Sequence, residues 1–388
     1  MNLSTPKNGI AAGAERASEF DNARSPSNFN STTMINPFQE RTPNWAGTKR
    51  IQCIDDGWLF RKCCFIDVGQ IVRHVKSNPQ YCDLRQDLLA LAQGRPIILD
   101  AGTDPWAPTQ LQHIVESQAL DSAIILTPDR QFAKEFQQQG FRWFPTWIIK
   151  AVNSHQFRRW SLPEDFWQRR QHHVSCLNRL PRLHRFYTYY LINQYSWASD
   201  VYLSFGGFQP IGPRRDYFWI NEIKQKLGAE CVDFFQQHHK LWPIKWDTEY
   251  QWSDVIGQHD HLSPAYKMCY TNIVTETSNE IFCPTEKTTK PLQSGNLFVA
   301  VASAGHMAAV SDMGFQIDFT GIDYRIYDNE PNWKQRAKLS LELVNTVYHD
   351  IPDIWRENLS RLQYNCNLFR SAELKDQILN DVQDIICW

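Results

Sequence analysis

The chain has 388 residues, a formal net charge of −2 and 42% apolar residues, which is sufficient for one large hydrophobic core or two smaller ones. The nearly neutral charge excludes a protein that binds nucleic acid through its overall charge, although a local basic patch is compatible with it. No apolar run reaches the roughly 18 residues that a membrane span requires. The N-terminus lacks the apolar core of a signal peptide, and the ten scattered cysteines indicate reduced thiols, so we expect a cytoplasmic protein.

The first segment, residues 1–47, is rich in Ser, Asn, Pro, Gly and Ala and shows no apolar periodicity. This composition predicts a disordered or loosely docked arm. In residues 48–165, short apolar runs such as RPIILDAG, SAIILTPD and FRWFPTWIIKAV alternate with helical patterns such as RQFAKEFQQQG. Strands that alternate with helices predict parallel pairing, so we expect an N-terminal α/β domain here.

The alternation starts again in residues 166–330, which we interpret as a second α/β domain. Strands are predicted over HVSCLN, DVYLSFGG, TNIVTET, NLFVAVAS and FQIDF, and helices over PRLHRFYTYYLINQY, DYFWINEIKQKLG and EKTTKPLQSG. Residues 331–388 carry helical apolar spacing throughout and form a predicted helical tail. The predicted fold is therefore α/β, with two such domains in tandem and a C-terminal helical tail.

A short motif pair follows the predicted strand TNIVTET. Glu-Thr-Ser occupies positions 276–278, and Thr-Glu-Lys occupies positions 285–287 ahead of a helix and the apolar strand NLFVAVAS. This stretch resembles the donor-binding segment of the fucosyltransferases of the two-domain glycosyltransferase fold (GT-B), where Glu-Asn-Ser precedes Thr-Glu-Lys. Here Thr277 stands where Asn is usual, and Cys283 stands where an aromatic residue is expected. The resemblance covers about residues 170–350 and extends to glycosyltransferase-like proteins of phages and bacteria.

The resemblance implies two Rossmann-like domains that face each other across a cleft. It also implies transfer of a sugar from a nucleotide-diphosphate sugar, a GDP- or UDP-sugar, to the hydroxyl of an acceptor glycan, protein or DNA base. The expected reaction is inverting and independent of a metal, because positive side chains and a helix dipole neutralise the leaving diphosphate in this fold. For a phage-encoded protein, the expected location is the host cytoplasm.

The candidate donor-binding residues fit this chemistry. A carboxylate such as Glu286 can accept both ribose hydroxyls, and Lys287 at a helix N-terminus adds positive charge for a phosphate. Arginine offers a planar fork for phosphate oxygens, and the family uses one after a strand that ends in Ser-Asn. The candidates are therefore Glu286, Lys287, Arg185, Arg182, Asn178, Glu276 and Thr285.

An inverting transfer also needs a general base for the acceptor hydroxyl. In the two-domain fold this base comes from the N-terminal domain. The run IILDAGTDPW places Asp100 at a strand end and Asp104 four residues later, and either could act, or both could cap a turn and a helix. Trp106 could stack on a sugar or pack in the core.

Other readings stay open. Seven arginines occur between residues 158 and 185, and they indicate either an anion-binding surface or a solvated linker: Arg158, Arg159, Arg169, Arg170, Arg179, Arg182 and Arg185. Interleaved Trp160, Phe166 and Trp167 would also suit a DNA-base glycosyltransferase of a phage. A non-catalytic virion or interaction protein on a degenerate transferase fold is a further alternative. Paired histidines at 172–173, 238–239 and 259–261 lack ligand spacing, so we predict no essential metal.

Overall fold

The computed structural model describes residues 64–67, 94, 97–101, 124–127, 130–144, 170–178, 181–206, 215–242, 244, 264–369 and 371–386. The predicted arm (1–47), Asp104, Trp106, Arg179, the arginines at 158, 159 and 169, and the aromatic residues at 160, 166 and 167 lie outside these ranges. The predicted domain boundaries at 165/166 and 330/331 remain predictions.

The first sheet contains four parallel strands in the order of the chain: β1 (Cys64–Asp67), β2 (Ile97–Asp100), β3 (Ile124–Thr127) and β4 (Phe141–Trp143). Helix α1 (Arg130–Glu135) connects β3 to β4. β2 is buried along its whole length, as expected for a parallel strand that is covered on both faces. The predicted parallel α/β pattern is thus confirmed for this part of the chain.

The second sheet also contains four parallel strands, but their order differs from the order of the chain. The strands are β5 (His172–Asn178), β6 (Tyr202–Phe205), β7 (Cys269–Thr275) and β8 (Leu297–Val301), and they lie in the order β6-β5-β7-β8. The chain adds β6 on one side of β5 and then returns to add β7 on the other side. β5 and β7 therefore flank a topological switch point.

Helices surround the second sheet and continue to the C-terminus. They are α2 (Leu183–Ile192), α3 (Arg215–Leu227), α4 (Ala229–His238), α5 (Pro264–Met268), α6 (Glu286–Ser294), α7 (His306–Asp312), α8 (Arg325–Asp328), α9 (Trp333–Val347), α10 (Ile351–Glu357), α11 (Leu359–Leu368) and α12 (Ala372–Ile386). Helix α9 packs against α2 and β8, and α11 packs against α6. The predicted helical tail therefore completes the core of the second sheet. No helix in the described ranges is long and apolar enough to cross a bilayer.

One predicted strand is wrong, and one helix was not predicted. The predicted strand FQIDF is wrong, because residues 315–319 form no strand. Their side chains alternate between buried and exposed, as in a strand, but the backbone N–H and C=O of Gln316 bond to the side chain of Asn365 on α11 instead (2.8 and 2.9 Å). Helix α4 was not predicted, although Cys231, Phe234 and Phe235 give it a buried stripe at helical spacing.

Arg170 is an internal structural residue. Its guanidinium is buried and donates hydrogen bonds to the carbonyls of Ser294 (2.8 Å), Gly295 (2.9 Å) and Cys269, and it lies 4.8 Å above the ring of Trp355. A cation at the last carbonyls of α6 complements the negative end of the helix dipole. Arg170 therefore fits neither of the two interpretations of the arginine segment, an anion-binding surface or a solvated linker.

Candidate functional site

The predicted donor residues of the second sheet gather at its switch point. In open α/β sheets, ligands bind outside the carboxyl ends of the strands where the strand order reverses. β5 ends at Asn178 and β7 ends at Thr275, and the Thr275 hydroxyl donates a hydrogen bond to Asn178 Oδ1. The segments that follow these two strands, which lead into α2 and α6, therefore start side by side.

Glu276 is the first residue after β7, and its side chain lies at the N-terminus of α6. It is completely buried. Oε1 accepts hydrogen bonds from Thr285 N (3.0 Å), Thr288 N (3.1 Å) and Thr288 Oγ1 (2.5 Å). Oε2 accepts from Thr277 N (3.1 Å) and Thr285 Oγ1 (2.5 Å). Helix N-termini present unpaired N–H groups and positive potential, so this carboxylate stabilises the start of α6.

The backbone carbonyl of the same residue holds the start of α2. Glu276 O accepts hydrogen bonds from His184 Nε2 (2.7 Å) and Arg185 Nη2 (3.2 Å), both in the first turn of α2. Because His184 Nε2 must carry a hydrogen to donate, the tautomer of this buried imidazole is fixed. One residue thus ties the N-termini of α2 and α6 together.

Four charged side chains cluster around this junction. Arg185 is buried, and Arg182 precedes α2 as its N-cap residue. Burial and the neighbouring Arg182 lower the pKa of Arg185 to about 10, while the carboxylates of Glu286 and Glu276 oppose this shift. Lys287 Nζ lies 2.7 Å from Glu286 Oε1, and both side chains retain some exposure (15% and 21%). The arginine stays protonated near neutral pH, so these four side chains together carry a net positive charge.

Thr285 is the residue immediately before α6. Its hydroxyl accepts a hydrogen bond from Lys287 N (3.3 Å) while it donates to Glu276, so it is the N-cap residue. Asn178 is also brought to the site, but its side chain is engaged with Thr275 and with Cys176 Sγ (3.2 Å). The side chains of both residues therefore bond to neighbouring protein groups at the site.

The first sheet contributes one predicted residue to the described structure. Asp100 ends β2, at the carboxyl edge of the first sheet, and is completely buried. Near the same edge, Trp143 at the end of β4 lies 6.4 Å from Phe282, measured between ring centroids. Phe282 belongs to the segment between β7 and α6, so the carboxyl edge of the first sheet contacts the segment that carries the Glu-Thr-Ser motif.

The described ranges contain no group of three His, Cys, Asp or Glu side chains that could hold a metal ion. Of the paired histidines, His172 and His173 lie in β5. His238 and His239 direct Nδ1 at the carbonyls of Phe234 (3.0 Å) and Gln236 (2.9 Å). His259 and His261 lie outside the described residues.

Sequence reasoning missed three residues of the junction: His184, Thr288 and His306. The Thr288 hydroxyl gives its hydrogen to Glu276, so it must accept at 3.0 Å from His306 Nε2. The spacing of Thr285 and Thr288, three residues apart at a helix start, is the signal that could have indicated a shared partner for the two hydroxyls. Nothing in the local sequence identifies that partner as Glu276, which lies nine positions before Thr285 and twelve before Thr288.

Two helix N-termini meet at the switch point, together with two arginines (Arg185 buried), one lysine and one partly exposed carboxylate. This arrangement can bind an anionic group such as a phosphate through the cations and N–H groups. It can also bind a neighbouring diol through the carboxylate.

Comparison with known proteins gives only distant likenesses. No protein-family model and no curated protein matches the chain. Among solved structures, the chain is similar to Anabaena HepE in complex with UDP and glucose, with 14% identity, a TM-score of 0.43, and coverage of 87% of this chain and 86% of that one. It is also similar to α,α-trehalose 6-phosphate synthase from Burkholderia multivorans, with 13% identity, a TM-score of 0.35, and coverage of 80% and 74%. At these TM-scores neither likeness bears on what this chain does.

The buried His184 predicts a specific pH dependence of stability. Burial and the neighbouring Arg185 lower its pKa from 6.5 to about 3, so the folded protein keeps this imidazole neutral while the unfolded chain protonates it below pH 6.5. Its contribution is therefore fully present above pH 6.5 and is lost as the pH falls toward 3. In urea unfolding at pH 5–6, His184→Gln should reduce the slope of unfolding free energy against pH by about 1.4 kcal/mol per pH unit. Parallel curves for the two proteins would contradict this assignment.

Proposed function

We propose that the protein is a glycosyltransferase of the two-domain type that transfers a sugar from a GDP- or UDP-sugar to an acceptor hydroxyl. One observation supports this most strongly. The Thr-Glu-Lys motif that resembles the fucosyltransferase donor segment begins a helix at the switch point, directly beside the arginine-bearing start of α2. Motif, topology and charge all favour a nucleoside diphosphate at the same edge of the sheet.

Each side chain has a proposed role in donor binding. Glu286 accepts the ribose hydroxyls, and Lys287 leaves its ion pair with Glu286 to bind a phosphate. Arg185 and Arg182 neutralise the diphosphate from the α2 side. Thr285 and Asn178 support donor binding indirectly. Thr285 caps α6, and Asn178 joins the ends of β5 and β7. A charge-assisted hydrogen bond is shorter and about twice as strong as a neutral one, which suits a diphosphate that gains negative charge as it leaves.

The proposed reaction is a single displacement with inversion. The acceptor oxygen bonds to the anomeric carbon while the bond from that carbon to the diphosphate oxygen breaks. The electron pair of the broken bond stays on the nucleoside diphosphate, and the acceptor proton passes to a carboxylate that acts as the general base. Asp100 and Asp104 are the proposed candidates, and the complete burial of Asp100 favours Asp104. The contact between Trp143 and Phe282 supports a position of the carboxyl edge of the first sheet close to the proposed donor site.

The phosphate-binding role of Lys287 can be tested by calorimetry with UDP and GDP. Lys287→Ala should weaken binding of the preferred nucleotide by about 1–3 kcal/mol, because it removes a hydrogen bond from a charged donor. Lys338→Ala, which removes an exposed lysine on α9, is the matched control and should bind normally. Unchanged affinity in both Lys287→Ala and Glu286→Ala would rule out the proposed donor site.

The proposed absence of a catalytic metal can be tested with a chelator. Protein cations take the place of a divalent ion in this proposal, so sugar transfer, or donor hydrolysis without acceptor, should survive excess EDTA. Arg185→Ala should lower turnover by about 10²-fold or more, as for the loss of one preorganised contact to developing charge. Loss of turnover in EDTA and its return with manganese would contradict the proposal.

The proposed base can be separated from a bystander by two isosteric substitutions. Loss of a general base costs about 10²–10⁴-fold in rate, so Asp104→Asn should abolish most transfer and keep UDP or GDP affinity. Asp100→Asn should keep transfer if it folds normally, since its carboxyl group is buried. Full transfer activity in both variants would place the base outside this pair.

A further inference from the structure

Glu276 stands out because it contacts both halves of the candidate site without reaching its surface. Its carboxylate binds the start of α6, and its backbone carbonyl binds the start of α2. The side chains proposed to bind the diphosphate, Lys287 and Arg185, lie in the first turns of those same helices. Any movement of Glu276 therefore changes the relative placement of the two cations.

The carboxylate itself is not available to a ligand. Both oxygens are completely buried, and together they accept five hydrogen bonds from backbone N–H groups and threonine hydroxyls. A ribose hydroxyl could reach them only after the N-terminus of α6 had opened. Leaving those helix donors without acceptors would cost more than one new hydroxyl contact returns.

We infer that Glu276 is a positioning residue, which fixes the start of α6 and the start of α2 relative to each other so that Lys287 and Arg185 converge on one diphosphate. This inference rests on the proposed function. It replaces the expectation that Glu276 contacts the donor directly and leaves Glu286 as the ribose-binding carboxylate.

The chemistry of the site explains why a carboxylate is needed. Five donors converge on two oxygens, and a carboxylate offers only acceptors. A glutamine would offer one acceptor oxygen, and its NH₂ group would face donors such as Thr285 N or Thr288 N. Glu276→Gln therefore removes acceptors from the start of α6 while it preserves size.

The direction in which nucleotide affinity changes in Glu276→Gln distinguishes a positioning role from a direct electrostatic effect of the charge. A negative charge beneath a diphosphate repels it, so removal of that charge alone should strengthen binding. If Glu276 acts by positioning, Glu276→Gln should weaken binding instead, because the helix start and the two cations lose their alignment.

The test is calorimetry with UDP and GDP and with their 2′,3′-dideoxy forms. Glu276→Gln should weaken binding of the preferred nucleotide by about 10-fold or more, and by the same factor for its dideoxy form, because the lost interaction does not involve ribose hydroxyls. Glu286→Gln should weaken binding of the normal nucleotide and leave binding of the dideoxy form nearly unchanged. Unchanged or stronger binding in Glu276→Gln, or a loss that disappears with the dideoxy nucleotide, would overturn the inference.

Asp328→Asn is the matched control. Asp328 is also a buried carboxylate at a helix start, where it accepts from Met307 N (2.9 Å) and Ala308 N (3.0 Å) on α7. This variant should lower the melting temperature and keep nucleotide affinity. An affinity loss in Asp328→Asn equal to that in Glu276→Gln would show a general effect of destabilisation and would overturn the positioning role.

A milder variant covers the case in which Glu276→Gln does not fold. Thr288→Val removes one of the five donors and should weaken normal and dideoxy nucleotides equally, by about threefold; equal affinity to the wild type would overturn the inference. If the wild-type protein binds neither UDP nor GDP, the proposed function fails and the inference fails with it. If the wild type binds UDP or GDP, no result with Glu276→Gln, Thr288→Val or Asp328→Asn bears on the proposed function.

Discussion

The second sheet depends on how helix α6 is held at its two ends. At its N-terminus the buried carboxylate of Glu276 accepts from the backbone and hydroxyls of Thr285 and Thr288. At its C-terminus the buried guanidinium of Arg170 donates to the carbonyls of Ser294 and Gly295. An anion at the positive end and a cation at the negative end both stabilise the helix dipole. The two buried charges are thereby satisfied without a direct ion pair between them, and the helix has a fixed position beside β7.

The hydrogen bonds at the two ends of α6 also make the candidate site rigid. Buried charges are tolerated only where hydrogen bonds satisfy them, so the segment from Glu276 to α6 has little freedom to rearrange. Glu286 and Lys287 lie in the first turn of this rigidly held helix, and their side chains remain partly exposed. A site on rigid elements presents its charges to a ligand without a large cost of ordering, which is the physical basis of preorganisation. The further contact from Glu276 O to Arg185 extends this rigidity to α2.

Much of this arrangement was predictable from the sequence, because it depends on local patterns. Apolar runs and helical spacing gave the parallel strands and α6, and the Thr-Glu-Lys motif placed Glu286 and Lys287 at a helix start. The remainder depends on partners that are distant in sequence. Arg170 bonds to carbonyls 124 and 125 positions away, and a backbone carbonyl has no sequence signature. Residues 315–319 alternate like a strand, but the side chain of Asn365 on α11 bonds to the backbone of Gln316 in place of the neighbouring strand that the pattern implied.

The proposed function requires a nucleoside diphosphate to bind at the switch point between β5 and β7. The most direct test is a crystal structure of the protein grown with UDP or GDP. The proposed site predicts diphosphate density within hydrogen-bonding distance of Lys287 and Arg185, with the ribose against Glu286 and no atom of the ligand in contact with the carboxylate of Glu276. Nucleotide density at any other edge of the second sheet, or a ribose bonded to Glu276, would contradict it.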